Sequence, residues 1–288
     1  NTTASNNTAV GFKSLTANTT GTRNTAVGQN SLLCNTTGNE NASFGNLSLD
    51  ANTTGCKNNA FGDSALTANT SGCCNVAVGN AALSSNTTGC RNTAIGINAS
   101  TSNQTGCCNV SVGAFSLEQN SNGCYNVAVG VLALNRNTTA TKNTAVGHAA
   151  LDQNTTGANN TAMGCGALRT NTTASNNSGF GRNALGAEDV GRGTVAIGMN
   201  CLVQQNSDSN NENTNNVAVG LNAGYSVITG QGHTLIGAYA GELVRNQSYV
   251  TAIGVEALRY NGLGSHATAL GNAAGQYATG SYNTFVGS

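Results

Sequence analysis

The apolar residues of this chain recur at fixed places within a phrase of seventeen residues, N-T-A-V-G-x-x-A-L-x-x-N-T-T-G-x-x. We number the phrase from its first residue, so that Asn24 holds position 1 and Glu40 holds position 17. Position 4 is apolar in every copy, position 8 is small, and position 9 is Leu in twelve copies. We therefore expect the side chains at position 4 to form a column of the core.

The period predicts the architecture. The glycine at position 5 recurs every seventeen residues from Gly11 to Gly198, and the next step, to Gly220, is five residues longer. A helical-hairpin repeat needs about 33 residues or more, whereas seventeen suit one coil of a parallel β-solenoid or β-roll with two short strands and two turns. About seventeen coils, stacked at roughly 4.8 Å each, would form a rod of about 80 Å.

The prediction is therefore an all-β chain with a single repeat domain over residues 1–288. Residues 1–203 hold regular coils, 204–215 an inserted loop, and 216–288 variant coils in which Ala-Gly replaces Ala-Leu. We expect the coil shape to change at these variant glycines, which are Gly224, Gly241 and Gly275.

Several positions of the phrase have a physical interpretation. The glycine at position 5 predicts a positive φ or a close backbone approach at a corner. N-T-T-G is typical of a turn in which Asn and Gly supply the φ values and side-chain hydrogen bonds. Asn at position 1 could stack as a ladder of amides. Two large apolar residues a coil make a thin core. It can be supplemented by the continuous backbone ladder between coils or by self-association that buries a second face, for which the β-branched residues at position 2 are the candidates.

Charge and composition exclude several classes of protein. Charged residues make up 8% of the chain, and the formal net charge is zero. Such a chain has no electrostatic footprint for nucleic acid or an anionic membrane. No apolar run approaches the roughly 20 residues of a membrane span, so we expect no membrane insertion. The chain starts at Asn1 within a repeat-like phrase, which predicts a processed chain or a segment of a longer one.

The core phrases resemble those of a known family. At "NTAVG", "NVAVG", "NTAIG" and "TVAIG" the chain resembles the head repeats of trimeric autotransporter adhesins, and the longer phrase looks like repeats in tail-fibre-like proteins of phages and large viruses. The resemblance covers nearly the whole chain. It implies a left-handed β-roll, three chains side by side, and a surface fibre or adhesin. The seventeen-residue period, the many cysteines and the lack of a recognisable stalk or anchor depart from the adhesin pattern.

Seven of the ten cysteines lie at positions 16 and 17 of the repeat, and Cys34, Cys165 and Cys201 lie elsewhere. Stacked coils place equivalent Cα atoms roughly 5 Å apart, which is within disulfide range. We expect disulfides between neighbouring coils or across chains, in an oxidising compartment; the alternative is free thiols that act as small apolar side chains. Cys201 replaces a small core residue and is expected to be a buried thiol. The disulfide candidates, at positions 16 and 17, are Cys56, Cys73, Cys74, Cys90, Cys107, Cys108 and Cys124.

The turn phrase is also an acceptor pattern for N-glycosylation. The alternative is that Asn and Thr are simply good turn residues, and a glycan on every coil would crowd its neighbours. We expect partial occupancy in a eukaryotic or viral source. The glycosylation candidates are Asn18, Asn35, Asn52, Asn69, Asn86, Asn103, Asn137, Asn154 and Asn171.

No constellation for catalysis stands out. The acidic residues are spread singly, and the one adjacent pair, Glu188 and Asp189, is expected in a solvated loop. The stretch "GFGRNALG" resembles a phosphate-binding loop but is another copy of the repeat. The three histidines are scattered and no C-x-x-C pair occurs. We expect no enzyme activity, no cofactor and no metal site.

The sequence thus favours a structural repeat segment of an extracellular, cell-surface or virion-surface fibre or adhesin. Its expected partner is itself, as a homotrimer or an end-to-end filament, with a cell-surface receptor or glycan as a further candidate. The alternative is a single-chain solenoid that binds ice through ranks of Thr. A polysaccharide-processing β-helix enzyme is a third candidate, but it would need carboxylates clustered on one face.

Overall fold

The structure, a computed structural model, describes residues 3–209, 212–260 and 264–288. The chain divides into two compact units, Asn1–Lys142 and Asn143–Ser288, and each is described by itself. Within each unit the strands are parallel and pair in sequence order, with equivalent repeat positions in register. Both units are therefore parallel β-solenoids with one seventeen-residue repeat a coil, except that the insertion lengthens one coil of the second unit and that its last coil is one residue shorter.

Each strand has three residues and occupies positions 2 to 4 of the repeat. The strands of the first unit are β1 (Thr8–Val10), β2 (Thr25–Val27), β3 (Ala42–Phe44), β4 (Asn59–Phe61), β5 (Val76–Val78), β6 (Thr93–Ile95), β7 (Val110–Val112) and β8 (Val127–Val129). Those of the second unit are β9 (Thr144–Val146), β10 (Thr161–Met163), β11 (Ser178–Phe180), β12 (Val195–Ile197), β13 (Val217–Val219), β14 (Thr234–Ile236), β15 (Thr251–Ile253), β16 (Thr268–Leu270) and β17 (Thr284–Val286).

The prediction of two strands a coil is wrong, because the other residues of each coil form turns. Residues at positions 7, 9 and 17 adopt left-handed backbone conformations, with φ between 49° and 62° where they are not glycine. The turns nevertheless bond from coil to coil; for example, Leu32 N–H donates to the carbonyl of Ser48 at 3.0 Å. The described copies carry no Val, Ile or Thr at these three positions, which is expected because β-branched residues fit left-handed conformations poorly.

The core lies behind position 3 of each strand rather than behind position 4. Ala26, Ala60 and Ala77 are fully buried at position 3, and Leu32 and Leu66 are fully buried at position 9. The prediction that position 4 forms a core column is wrong. Alternate residues of a strand point to opposite faces, so positions 2 and 4 share the outer face once position 3 points inward.

Two buried ladders of asparagine amides flank this core, and the first was predicted. At position 1, Asn92 N–H donates to Asn75 Oδ1 at 2.9 Å, and its Nδ2 donates to the carbonyl of Gly106 at 2.8 Å. At position 12, Asn86 Nδ2 donates to Asn69 Oδ1 at 2.8 Å. Buried backbone and side-chain polar groups need such partners, so the ladders complete each coil.

The glycines of the repeat allow neighbouring coils to approach closely, and only some of them also adopt a positive φ. At position 5, φ lies between 124° and 146°, and a Cβ there would meet the glycine carbonyl of the next coil. Both predicted reasons for this glycine are confirmed. Gly38, in the N-T-T-G turn, has no left-handed φ. A Cβ on it would instead meet Asn35 and the carbonyl of Gly55, so the prediction that this glycine supplies φ is wrong.

The variant coils of the second unit keep the same backbone. Gly224, Gly241 and Gly275 have φ of 58–61°, in the same left-handed region as the leucines at position 9, whose φ is 49–54°, so the expected change of coil shape is wrong. A large side chain occurs at position 3 instead. Leu235 is fully buried there, and its side chain would contact a Cβ placed on Gly224 or Gly241. Leu235 thus occupies part of the space that leucines at position 9 would fill in these coils.

Candidate functional site

The outer face of the strands is the candidate site. It consists of positions 2 and 4, together with position 6 beyond the glycine, and we call it the strand face. None of the seventeen described strands contains a charged residue. Because equivalent positions stack in register, each unit presents a column of side chains at position 2 beside a column at position 4.

Large apolar side chains lie exposed along this face. In the first unit Phe44 and Phe61 stack with ring centroids 4.9 Å apart and planes 6° from parallel. The exposed large apolar residues at positions 4 and 6 of that unit are Val10, Phe12, Phe44, Phe61, Val78, Ile95, Ile97 and Val131. Those of the second unit are Met163, Ile197, Met199, Ile236, Val255, Leu270 and Val286.

Such a face can bind another apolar surface but offers little for chemistry. Monomeric soluble proteins rarely expose long contiguous apolar patches, and those they do expose often mark interaction sites. The β-branched residues that the sequence suggested for self-association, such as Thr25 and Val76, do lie on this face, half-buried among their neighbours.

The seven disulfide candidates are free thiols in the structure. The five at position 16 lie in one column on consecutive coils, whereas Cys74 and Cys108 follow at position 17. Cys56 and Cys73 have their Sγ atoms 3.0 Å apart, a contact longer than a disulfide bond. Cys201 is a buried thiol as predicted, and its burial raises its pKa to about 12.

The nine glycosylation candidates all lie at position 12 and are buried. Their amide nitrogens, where glycans would attach, are engaged in hydrogen bonds: Asn52 Nδ2, for instance, donates to Asn35 Oδ1 at 2.8 Å and to the carbonyl of Gly55 at 3.0 Å. A glycan would replace one of these hydrogens and could not fit inside the coil. This geometry argues against glycans on these asparagines in the folded protein.

The pair Glu188 and Asp189 does not form the solvated loop that was predicted. Glu188 takes position 12, where the asparagine ladder is interrupted, and is fully buried. Its carboxylate accepts hydrogen bonds from Gly191 N–H at 2.7 Å, Gln205 Nε2 at 2.6 Å and Ser207 Oγ at 3.3 Å. The partners satisfy a carboxylate that would otherwise be costly to bury.

This buried cluster lies beside the inserted loop. Gln205 also bonds Thr194 and Asn216, which hold position 1 of successive coils. The described part of the insertion returns to the solenoid where Arg192 N–H donates to the carbonyl of Glu212 at 2.8 Å. Residues 210 and 211 of the predicted loop 204–215 lie outside the described residues. Among the described residues, the carboxylate of Glu188 and the amide of Gln205 are thus held by hydrogen bonds within the cluster.

His233 replaces the asparagine of position 1 and is buried. Its Nδ1 accepts a hydrogen bond from Val250 N–H at 3.3 Å, which requires an unprotonated Nδ1. Burial lowers the pKa of His233 to about 4, from an ordinary 6.5. Because the folded-state pKa is depressed, the neutral imidazole contributes its full stability above pH 6.5, and that contribution is lost as the pH falls toward 4.

We expect acid to destabilise the second unit through His233. Between pH 7.5 and 4.5 the free energy of unfolding should fall by about 2 to 3 kcal/mol on this account. His233→Asn restores the residue usual at position 1 and should remove this part of the pH dependence. Thermal melts of both proteins at the two pH values measure it, since other groups titrate equally in both. Equal losses in the two proteins would contradict the prediction.

The described residues contain no group of three or more His, Cys, Asp or Glu side chains arranged to hold a metal ion. Over the same residues, none of the secondary structure is a helix with the length and apolarity needed to cross a bilayer. Neither the known protein-family models nor the curated proteins include a significant match to this chain. Fold and site together define a parallel β-solenoid repeat protein with an apolar outer strand face.

Two features of the site were not predicted from the sequence. Side chains at position 4 point outward because the small residue at position 3 is the buried one, and successive residues of a strand point to opposite faces. The alternation along N-T-A-V-G was the available signal in the sequence. The burial of Glu188 could have been found by counting, since 188 lies seventeen residues after Asn171 and seventeen before Gln205.

Proposed function

We propose that this chain is a structural segment of an extracellular or surface fibre, in which copies of the chain associate through their strand faces into a homotrimer. The observation that carries the proposal is the strand face, whose strands hold no charged residue and whose large apolar side chains lie exposed along both units. The resemblance of the core phrase to adhesin head and tail-fibre repeats supports the trimeric, left-handed arrangement and the location at a cell or virion surface.

The size of the face is adequate for association. Eight strands at roughly 4.8 Å, each presenting positions 2 to 6 over about 13 Å, give the first unit about 500 Å² of such surface. The second unit has nine strands and a similar area. A standard interface takes about 800 Å² from each partner, so the face of one unit by itself supplies more than half of one such contact. The absence of charge on the strands removes the ionic desolvation cost of burying positions 2 to 4, and the charged side chains on the face are Asp63 and Arg182 at position 6.

Mass in solution tests the assembly. We expect the native particle to have three times the chain mass of 28.7 kDa, with and without reductant, because the proposed contact is apolar. A monomer under both conditions would overturn the proposal. Very large, polydisperse species would point instead to end-to-end filaments, and a trimer that dissociates on reduction would place the cysteines between chains.

A charge on the strand face should prevent assembly. Ile95→Lys brings three lysines together in a trimer, and like charges across a buried interface cost several kcal/mol. We expect trimer formation to weaken at least tenfold, as measured by sedimentation. Ile228→Lys is the matched control: Ile228 is 37% exposed and Ile95 40%, but Ile228 lies outside the strands, so its substitution should leave the mass unchanged. Equal behaviour of the two variants would argue against the strand face as the interface.

One observation favours the second candidate, ice binding. Threonines at position 2 point outward in register on the same flat face, as Thr144 and Thr161 do in paired strands. Valine interrupts these ranks at Val195 and Val217, and the Thr-Thr pairs of the phrase lie in turns. Freezing hysteresis of a monomeric preparation would support ice binding, whereas a fibre segment should show none.

A further inference from the structure

The cysteines at position 16 of the first unit form a hydrogen-bonded column. Cys73, Cys90, Cys107 and Cys124 each accept, through Sγ, the backbone N–H of the cysteine one coil earlier, at 3.1–3.2 Å. Asn39 Oδ1 does the same for Thr22 N–H at 2.7 Å. The first role of a γ atom at this position is therefore to satisfy a backbone donor, which Ser, Thr, Asn or Cys can do.

Cys56, at the start of the column, is oriented differently from the rest. The sulfurs of Cys73, Cys90, Cys107 and Cys124 each lie 3.4–3.5 Å from the carbonyl oxygen two residues earlier. The sulfur of Cys56 instead faces Cys73 Sγ at 3.0 Å. Among the described residues, this is the one pair of sulfurs in such contact. The first step of the column is thus arranged for bond formation, while the later steps are arranged for hydrogen bonding.

We propose that Cys56 and Cys73 are a redox pair that forms an intrachain disulfide between adjacent coils, with a small-molecule disulfide such as oxidised glutathione as the oxidant. One thiol of the pair loses its proton and attacks the oxidant, which releases one small thiol and leaves a mixed disulfide. The second thiol loses its proton and attacks the protein sulfur of that mixed disulfide, which releases the second small thiol. Two cysteines are oxidised and one oxidant molecule is reduced to two thiols.

The geometry requires little movement. Bonded sulfurs are about 2.05 Å apart, and disulfides span Cα separations of about 4.4 to 6.8 Å, which includes the roughly 4.8 Å between paired parallel strands. The sulfurs therefore need to approach by about 1 Å, with the coils in place. Cys73 Sγ stays beside Cys56 N–H, so the hydrogen bond that it accepts from this N–H is compatible with the disulfide.

The surroundings set the conditions for closure. The hydrogen bond with Cys73, followed by burial, raises the pKa of the Cys56 thiol to about 11. Since the thiolate is the attacking species, oxidation should be slow at neutral pH and faster in alkali. Cys74 and Lys57 also face this thiol, and Cys74 is exposed, so it is the neighbour that must be excluded as a competing partner.

The test is oxidation of the full chain, first reduced, in a buffer of oxidised and reduced glutathione, followed by alkylation and peptide mapping without reduction. We expect one intrachain bond that joins Cys56 to Cys73, and closure that accelerates between pH 7 and 9. Glutathione adducts on the exposed Cys34, Cys74 and Cys165 are compatible with this result.

Variants separate this pair from the rest of the column. Cys56→Ser should abolish the bond without creating one between Cys73 and Cys90, and its hydroxyl keeps the fold in a column that accommodates Ser. Cys107→Ser is the matched control and should leave the Cys56–Cys73 bond at its original yield. Bonds that map mainly to other pairs, bonds between chains, or a Cys56–Cys73 pair that stays reduced in the oxidising buffer would overturn the proposal.

Discussion

Gly181→Ala should be among the most damaging single substitutions in the second unit. Gly181 has φ of 132°, and an added Cβ would lie 2.6 Å from the carbonyl oxygen of Gly198 and 2.7 Å from its carbon. Neither atom can move, because both belong to the backbone of the next coil. Backbone strain and overpacking together predict a loss of about 4 kcal/mol in the free energy of unfolding, or a melting temperature lower by roughly 10 °C.

Gly186→Ala is the matched control for this prediction. Gly186 lies five residues later and has no left-handed φ, and a Cβ there would meet its nearest atom, the carbonyl oxygen of Asn183, at 3.3 Å. The same change of residue should cost less than about 1 kcal/mol, since Ala restricts the unfolded chain more than Gly does. If both variants melt together, the position-5 glycine is not needed for close approach.

Asn86→Ala should be nearly as damaging in the first unit. The substitution leaves Asn69 Oδ1 without the donor it now has at 2.8 Å, and one N–H of Asn103 Nδ2 without its acceptor at 2.8 Å, while the bond from Asn103 Nδ2 to the carbonyl of Gly106 remains. Each buried group left without a partner costs about 1 to 3 kcal/mol, so we expect a loss of about 4 kcal/mol in the free energy of unfolding. Hydrogen exchange should show the loss concentrated in the coils that contain Asn69, Asn86 and Asn103.

Thr88→Ala separates the structural role of Asn86 from a glycosylation role. Thr88 completes the acceptor pattern that starts at Asn86, but its side chain is exposed at the tip of the turn. We expect its substitution to change stability by less than about 0.5 kcal/mol. When both proteins are produced in a eukaryotic host, the peptides that contain Asn86 should differ in mass only by the Thr-to-Ala substitution. A glycan at Asn86 that disappears in Thr88→Ala would contradict the burial of the ladder.

The sequence predicted the features that depend on repetition. A constant period fixes which residues meet in neighbouring coils, so the parallel register, the asparagine ladder at position 1 and the close approach at position 5 could all be expected from spacing. The direction of each side chain was harder to predict. Position 4 is apolar in every copy, and hydrophobicity alone cannot distinguish a core column from an outer face that binds another surface.

The left-handed leucines explain the remaining errors in the fold. Leu is rarely found with positive φ, so nothing in its propensity indicates that Leu32 or Leu66 turns the chain with φ of 50–54°. The sequence pattern therefore indicates a second strand where the coil has turns. The absence of β-branched residues from positions 7, 9 and 17 was the available signal.

The candidate site was predicted in part. Position 2 was expected on an outer face, and it lies there beside position 4. The cysteine column was expected from spacing, but the orientation of Cys56 toward Cys73 depends on a side-chain rotation that no spacing encodes. The burial of Glu188 depends on its partners Gln205 and Ser207, both of which lie in the inserted stretch 204–215.

The asparagine ladders also make the length of the protein adjustable by whole repeats. Each coil offers to the next the same amide and carbonyl groups that it receives from the one before, as Asn75 does between Asn58 and Asn92. Removing residues 75–91 would join Cys74 to Asn92 and leave Asn92 facing Asn58 with the same hydrogen-bonding groups. Unequal recombination between gene repeats could therefore lengthen or shorten such a chain while every remaining interface stays intact.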